Sequence, residues 1–324
     1  MIGPRAPNVS RGRGFVILAG AVLWAGFVST AHAQAVGISD AKTAEFPAEL
    51  VHWTAAPEYP VFTAAGPGHW DAKIRERGWI LREGETYHLW YTGYDGTRDG
   101  VRQLGYSTSP DGLHWTRSAE NPLVRGHWVE DMMVVKQGGT YFMFAEGLHD
   151  QAQLLTSTDR LHWKQEGTLE IRTALGEPLS PGPFGTPTAW LEGDTWYLFY
   201  ERMDKGVWLA TSKQTPPKTW TNMQDQPVLV PGPNGYDHVM IALDQIIKVG
   251  GAYFAVYHAS GDQQPPRKWN SDLARSTDLV HWQKYAGNPI VEGDRSSGQF
   301  VFDGRQYRLY TMHDRVEVFF PRRD

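Results

Sequence analysis

Acidic and histidine side chains recur at two kinds of place along this sequence. Asp71 (in Gly-His-Trp-Asp), Glu130 and Asp131 (in Gly-His-Trp-Val-Glu-Asp) and Asp237 and His238 (in Gly-Tyr-Asp-His) each precede an apolar, strand-like stretch that ends at a glycine turn. Glu146, Glu201, His258 and His313 each stand at the end of the stretch that follows such a turn. Asp71 lies 13 residues before Gly84 and Asp237 lies 13 before Gly250, a matched offset that predicts equivalent places; Asp131 lies 7 before Gly138. Carboxyl groups gathered in one pocket repel unless they bind something or shift one another's pKa. Two of them in a sugar-sized pocket suit cleavage of a glycosidic bond. One stays protonated and donates to the leaving oxygen, while the other activates water or attacks the sugar carbon. Trp70, Trp128 and Trp190 stand nearby as platforms for a sugar ring. Arg75, His238 and His258 add polar contacts for its hydroxyls.

Such residues converge only if the chain supplies a frame. Five segments repeat: Leu50-Val-His-Trp53, Leu113-His-Trp115, Leu161-His-Trp163, Lys218-Thr-Trp220 and Leu279-Val-His-Trp282. The tryptophans are 62, 48, 57 and 62 residues apart. Strand-rich repeats of that period predict an all-β, five-bladed β-propeller. Between them run alternating stretches bounded by glycine turns, as in Thr140-Tyr-Phe-Met-Phe144 and Tyr253-Phe-Ala-Val-Tyr257. Adjacent strands run antiparallel, so the start of an innermost strand and the end of the second open on the same face. The first Trp segment has no strands before it, and the final stretch, Gln299 to Phe320, has no Trp segment after it. The N-terminal copy is therefore expected to supply the outer strand of the last blade, closing the ring without an open edge. Asp111, Asp159 and Asp278 sit in the outer turns, where a fold-holding Asx-turn accounts for them.

Composition narrows the setting. Arg5, Arg11 and Arg13, an apolar run from Phe15 to about Val28, and Ala31-His-Ala33 read as a secretory signal peptide over 1–33. A single propeller domain over 34–324 is expected to remain, secreted or periplasmic in a bacterium and free of the membrane. Loss of the three leader arginines takes the net charge from −5 to −8, which argues against nucleic acid as a partner. There are no cysteines, hence neither disulfides nor a thiolate metal site.

The stretches Val249-Gly-Gly-Ala-Tyr-Phe-Ala-Val-Tyr257, Gly105-Tyr-Ser-Thr-Ser-Pro-Asp-Gly-Leu-His-Trp115 and Asn121-Pro-Leu-Val124 resemble the five-bladed propeller glycosidases. These are the families around arabinanases, arabinofuranosidases, β-xylosidases, invertases and neoagarobiose hydrolases. The resemblance covers about 49–320. It implies an exported glycoside hydrolase acting on a plant- or algal-type oligosaccharide or polysaccharide, with an Asp base, an Asp that tunes pKa and a Glu acid from different blades. Asp71 is the expected base, Asp131 or Asp237 the modulator and Glu201 the acid. Asp131 matches the family's Asp-Pro pair in its Asp only, Met132 following it. Where the family has Glu-Gly-Pro this chain has Gly185-Thr-Pro187, so the acid must come from elsewhere. Glu201 is the nearest carboxyl of that blade, with His238 or His258 as alternatives. No cofactor is required on this reading. The resemblance adds a possible structural calcium on the propeller axis, although the sequence has no calcium-loop motif and the metal is left open. Two other readings stand beside the hydrolase. One is a non-catalytic carbohydrate-binding propeller, suggested by the missing Glu. The other is a glycoside phosphorylase, with Arg75, Arg77 and Arg202 available for phosphate.

Overall fold

The structure, a computed structural model, describes residues 45–179, 182–233 and 235–322; the leader expected over 1–33 lies outside them. Five sheets, antiparallel but for one added strand, follow one another along the chain. Blade 1 comprises Lys73–Glu83, Thr86–Tyr94, Gln103–Ser109 and Thr116–Arg117, from axis to rim. Blade 2 comprises Glu130–Gln137, Thr140–Glu146, Ala152–Ser157 and Lys164–Thr168. Blade 3 comprises Gly185–Glu192, Thr195–Glu201, Val207–Ser212 and Thr219–Asn222. Glu170–Arg172 adds a further strand to blade 3, parallel to its outermost one, which the repeat pattern does not foretell. Blade 4 comprises Met240–Val249, Ala252–Ser260, Asn270–Ser276 and Gln283–Lys284. Blade 5 comprises Gln299–Phe302, Tyr307–Met312 and Arg315–Pro321, and its outermost strand is Trp53–Ala55. Trp53 pairs with Pro321 and Ala55 with Phe319, so the N-terminal strand closes the ring in the last blade as expected.

The second strands are buried on both faces, which is why they read as near-continuous apolar runs. Neighbouring blades interlock through aromatic rings. Trp196 of blade 3 meets Phe142 and Phe144 of blade 2 at 5.2 and 5.8 Å, and Trp90 meets Trp163 edge-on at 6.0 Å. The turn between the first two strands of blades 1 to 4 has a glycine with φ of 60°, 59°, 62° and 56° (Gly84, Gly138, Gly193, Gly250), a left-handed conformation that other residues resist. At the rim, Asp111 Oδ1 accepts the backbone N–H groups of Leu113 and His114, and Asp159 and Asp278 repeat the arrangement, so these acids hold turns.

Two glutamines stitch blade 5 into the ring. Gln245 of blade 4 bonds both backbone groups of Phe300, and Gln299 of blade 5 bonds both of Ile80 in blade 1. The innermost strands of blades 1 to 4 share one irregularity. Their pairing slips between Arg75 and Trp79, Glu130 and Met133, Gly185 and Thr188, and Leu243 and Gln245. A bulge re-aims the side chains beside it, and here it falls at the funnel end of each strand.

Candidate active site

The bulges carry the site. Glu76, Asp131 and Thr186 occupy them in left-handed conformations (φ 56°, 47° and 45°), and Asp244 occupies the slip in blade 4. A non-glycine residue held there costs on the order of 1–3 kcal/mol, which the surrounding hydrogen bonds must offset. The ends of the second strands add Glu146 and Glu201, and the turns beyond add Asp150 and Asp204, again left-handed (φ 54° each). The acids of blades 1 to 4 thus interact electrostatically around one centre: Asp131 with Glu76 and Asp244, Glu146 with Asp131 and Asp150, Glu201 with Asp204 and Asp150.

Gly185 is the pivot. It lies directly across the strand pair from Glu201. A Cβ at position 185 would lie 1.8 Å from Glu201 Oε1 and 2.9 Å from Glu146 Oε1. The space where a side chain would stand is therefore filled by one carboxyl and bordered by another. Glu201 also accepts the backbone N–H of Asp204, and Glu146 that of Thr186, so both heads are pinned. Two carboxyl groups this close cannot both ionise freely. Burial, followed by repulsion from Asp204, pushes Glu201 up to about 8, and burial and Asp131 push Glu146 up in the same direction. Burial and Glu76 raise Asp131 to about 6 against the pull of Arg77. Burial raises Glu130 to about 7 against Arg75. Burial acts to lower His258, but Asp244, at 2.8 Å from Nδ1, outweighs it and the imidazole is raised to about 9. At neutral pH the centre therefore holds a protonated carboxylic acid, an ionised Asp131 and a cationic imidazole, which is the equipment of general acid–base chemistry.

Of the residues singled out in the sequence, Asp131, Glu201, His258 and Arg75 come together here. Arg75 Nε lies 2.5 Å from Glu130 Oε1 and its guanidinium also contacts Glu76. Trp128 is half-buried beside them, its indole N–H donating to Glu130 Oε2 at 2.9 Å and its ring under the Arg102 guanidinium. Trp190 instead packs edge-on against Tyr253 at 6.1 Å, between blades 3 and 4.

Asp71 and Asp237, the expected base and the alternative modulator, are held by other partners than these acids. Their matched offset does mark equivalent places, but those places face the outermost strand of each blade. Asp71 is 2 % exposed; its Oδ2 accepts from Arg117 Nε at 2.9 Å and from the Tyr91 hydroxyl at 3.0 Å. Asp237 is fully buried and pairs with Lys284, the last residue of the outermost strand of blade 4. Both carboxylates clamp the rim of their blade onto its funnel loop. Trp70 belongs to the same clamp, its ring 5.9 Å from that of Tyr91. His238 is exposed next to Asp237 and does not join the acid centre.

Sequence reasoning gave no role to Glu76, Asp150, Asp204 or Asp244. The bulges put Glu76 and Asp244 in place. Offset from the turn glycine does not find them: Asp131 and Thr186 stand seven residues before theirs, but Glu76 stands eight and Asp244 six before Gly84 and Gly250.

An axial calcium would need several oxygen ligands. Among the described residues no group of three or more His, Asp or Glu side chains could hold a metal ion. The main-chain carbonyls that gather on the axis, those of Asp131, Pro187 and Asp244, are all taken by Arg77. The residues present do not fit the ion.

No family model matches the chain. A 1,2-beta-oligomannan phosphorylase from Thermoanaerobacter is 24 % identical over 253 residues, covering 72 % of this chain and 80 % of that protein. Among solved structures, a beta-1,2-mannobiose phosphorylase from Listeria innocua superposes with a TM-score of 0.64 at 14 % identity, covering 83 % of this chain and 96 % of that one. A glycosyl hydrolase from Bacteroides ovatus superposes with a TM-score of 0.62 at 13 % identity, covering 82 % and 92 %. The fold is thus that of the five-bladed propellers shared by several glycoside hydrolase and mannoside phosphorylase families, and not of the arabinanase, xylosidase and invertase group in particular. Among the described residues no helix is long and apolar enough to cross a membrane.

Proposed function

We propose that this chain is a carbohydrate-active enzyme that cleaves β-1,2-linked mannosides in the funnel, by hydrolysis, after export under the leader at 1–33. The observation that carries the reading is the meeting of Glu201 and Glu146 in the side-chain space of Gly185. It supplies a carboxylic acid that is still protonated at neutral pH, placed where the resemblance expects the acid but borne by the neighbouring strand. In this reading Glu201 donates to the leaving oxygen. Asp131, ionised above about 6, orients and deprotonates the attacking water. The choice of sugar rests on what the similar mannoside phosphorylases act on.

The charges around the centre favour water over phosphate. Arg75 is held by Glu76 and Glu130, Arg77 by main-chain carbonyls and His258 by Asp244. A phosphate dianion would also face Asp150 and Asp204. Phosphorolysis is the second reading, favoured by the oligomannan phosphorylase relative and by Arg267, half-buried near Asp204 with its Nε lacking a hydrogen-bond partner.

The test is to incubate the chain from residue 34 onward with β-1,2-mannobiose and longer oligomannosides, with and without inorganic phosphate, beside Glu201→Gln. Mannose released in phosphate-free buffer, with turnover down about 10²–10⁴-fold in the variant, is the expected result. Mannose 1-phosphate formed only with phosphate present would replace hydrolysis by the second reading. Saturable binding without any product would leave a carbohydrate-binding propeller.

A further inference from the structure

Arg77 is 1 % exposed, a guanidinium sealed inside the ring where no sugar reaches it. It arises from the innermost strand of blade 1, yet every hydrogen bond of its head goes to another blade. Nη2 donates to the carbonyls of Asp131 in blade 2 (2.7 Å) and Pro187 in blade 3 (2.8 Å). Nη1 donates to the carbonyls of Asp244 (2.9 Å) and Leu243 (3.5 Å) in blade 4 and to the Thr188 hydroxyl of blade 3 (2.5 Å). Only a group on the axis can touch the inner strands of so many blades. Carbonyl oxygens converging from separate segments are the donor set a hard cation collects. A planar guanidinium with five N–H donors satisfies the same oxygens and cannot be lost by deprotonation or chelation.

The grip falls on the bulges. Asp131 and Asp244 are bulge residues, and Pro187 follows the left-handed Thr186. The backbone N–H of Arg77 also donates to Asp131 Oδ1 (3.2 Å), with Nε 3.9 Å from the same oxygen. Arg77 thus holds both the main chain and the carboxylate of Asp131, which interacts with Glu146. Blade 5 lies outside this grip and is joined by Gln245 and Gln299 instead.

We propose that Arg77 is a built-in axial cation: it occupies the hub in place of a metal ion, makes the propeller metal-independent, and acts as a positioning residue for Asp131. The positioning half rests on the function proposed above; the hub half does not.

Three measurements on the chain from residue 34 test this. Thermal unfolding of the wild type is followed after exhaustive EDTA treatment and with added calcium, and calcium is titrated calorimetrically. Arg77→Lys and Arg77→Met are compared with Gln299→Ala, which removes an inter-blade link to the Ile80 backbone that no acid side chain shares. Steady-state turnover of the mannoside that responds is recorded against pH. The expected result is a wild-type melting temperature unmoved by EDTA or calcium and no calcium heat. In both Arg77 variants the melting temperature falls by roughly 10 °C. In Arg77→Lys kcat falls about 100-fold with little change in KM, and the acidic limb of the pH profile shifts, because the fork that fixes Asp131 is gone. Gln299→Ala loses stability with its pH profile intact. Melting that drops in EDTA and is restored by calcium overturns the proposal, as does an Arg77→Lys protein matching the wild type. If neither Arg77 variant folds, the chelation and calcium measurements decide the hub. Absence of turnover in a wild type that passes them sinks the proposed function and leaves the hub standing.

Discussion

Replacing Gly185 by alanine adds one methyl group at a site where the structure leaves no room for it. Gly185 does not have the positive φ that only glycine tolerates, so the backbone accepts alanine and the whole effect is steric. The new Cβ would stand 1.8 Å from Glu201 Oε1, where ordinary contact begins at 3.4 Å. The carboxyl must retreat by about 1.5 Å, a displacement of the size that costs on the order of 100-fold in rate when it misplaces a reacting group. It is not a free end. Its other oxygen accepts the Asp204 N–H, and Glu146 on the far side is tied to the Thr186 N–H. Overpacking of roughly 1–3 kcal/mol and a charge-assisted hydrogen bond of roughly 1.5–3 kcal/mol are both at stake, so a loss of about 2–5 kcal/mol is expected. For a domain of this size that lowers the melting temperature by roughly 5–15 °C. The assay pairs thermal unfolding with kcat on the mannoside, at pH 6 and again at pH 8. Displacing Glu201 from its buried seat also relaxes its pKa toward the ordinary value, so the activity that remains should fall off at lower pH than in the wild type. A Gly185→Ala protein with unchanged melting temperature, kcat and pH profile would refute the claim that the two carboxyls meet in that space.

Stability should depend on pH through the same acids. The folded-state value of Glu201, about 8, lies above its ordinary 4.5, so its contribution is full below pH 4.5 and is lost as pH rises through 8. Glu201→Gln, neutral throughout, should flatten the decline in melting temperature between pH 5 and 8; an equally steep decline would show that other groups cause it. His258, raised to about 9 from 6.5, contributes stability fully below pH 6.5 and loses it as pH rises through 9. His258→Gln should therefore cost more stability at pH 6 than at pH 10, where a constant difference in melting temperature would contradict the Asp244 pairing. Asp71→Asn should lower stability by about 1–3 kcal/mol by loosening the Arg117 clamp, with kcat/KM of the folded protein within about threefold of wild type. Lost turnover at unchanged melting temperature would return Asp71 to the role of base.

The ring was legible in the sequence because its markers are backbone markers. The Trp segments, the turn glycines and the unpaired strand at each end fix which stretch is which strand of which blade, and the structure keeps that assignment. The site was legible only in part, because the same markers do not say which side chain faces the axis. Asp71 and Asp237 share an offset and do occupy equivalent places, but those places face the rim. Side chains alternate along a strand, so the one extra residue of a bulge reverses the faces. The sequence shows no bulge, and Glu76 and Asp244 therefore passed as ordinary strand residues. Gly185 shows the limit from the other side. Read alone it is a missing acid; read across the strand pair it faces Glu201 and makes the room that Glu201 fills. Blade 2 sets Glu130 directly opposite Glu146. Like charges across a strand pair are destabilising, and a propeller with only a fold to maintain gains nothing from them. What the site does achieve, chiefly through burial, is to raise these carboxyl groups above the usual range, Glu201 to about 8 and Glu130 to about 7, with Glu146 raised in the same direction. Acids raised in this way beside Asp131 and the His258 imidazole suit the proton transfer that the proposed cleavage requires.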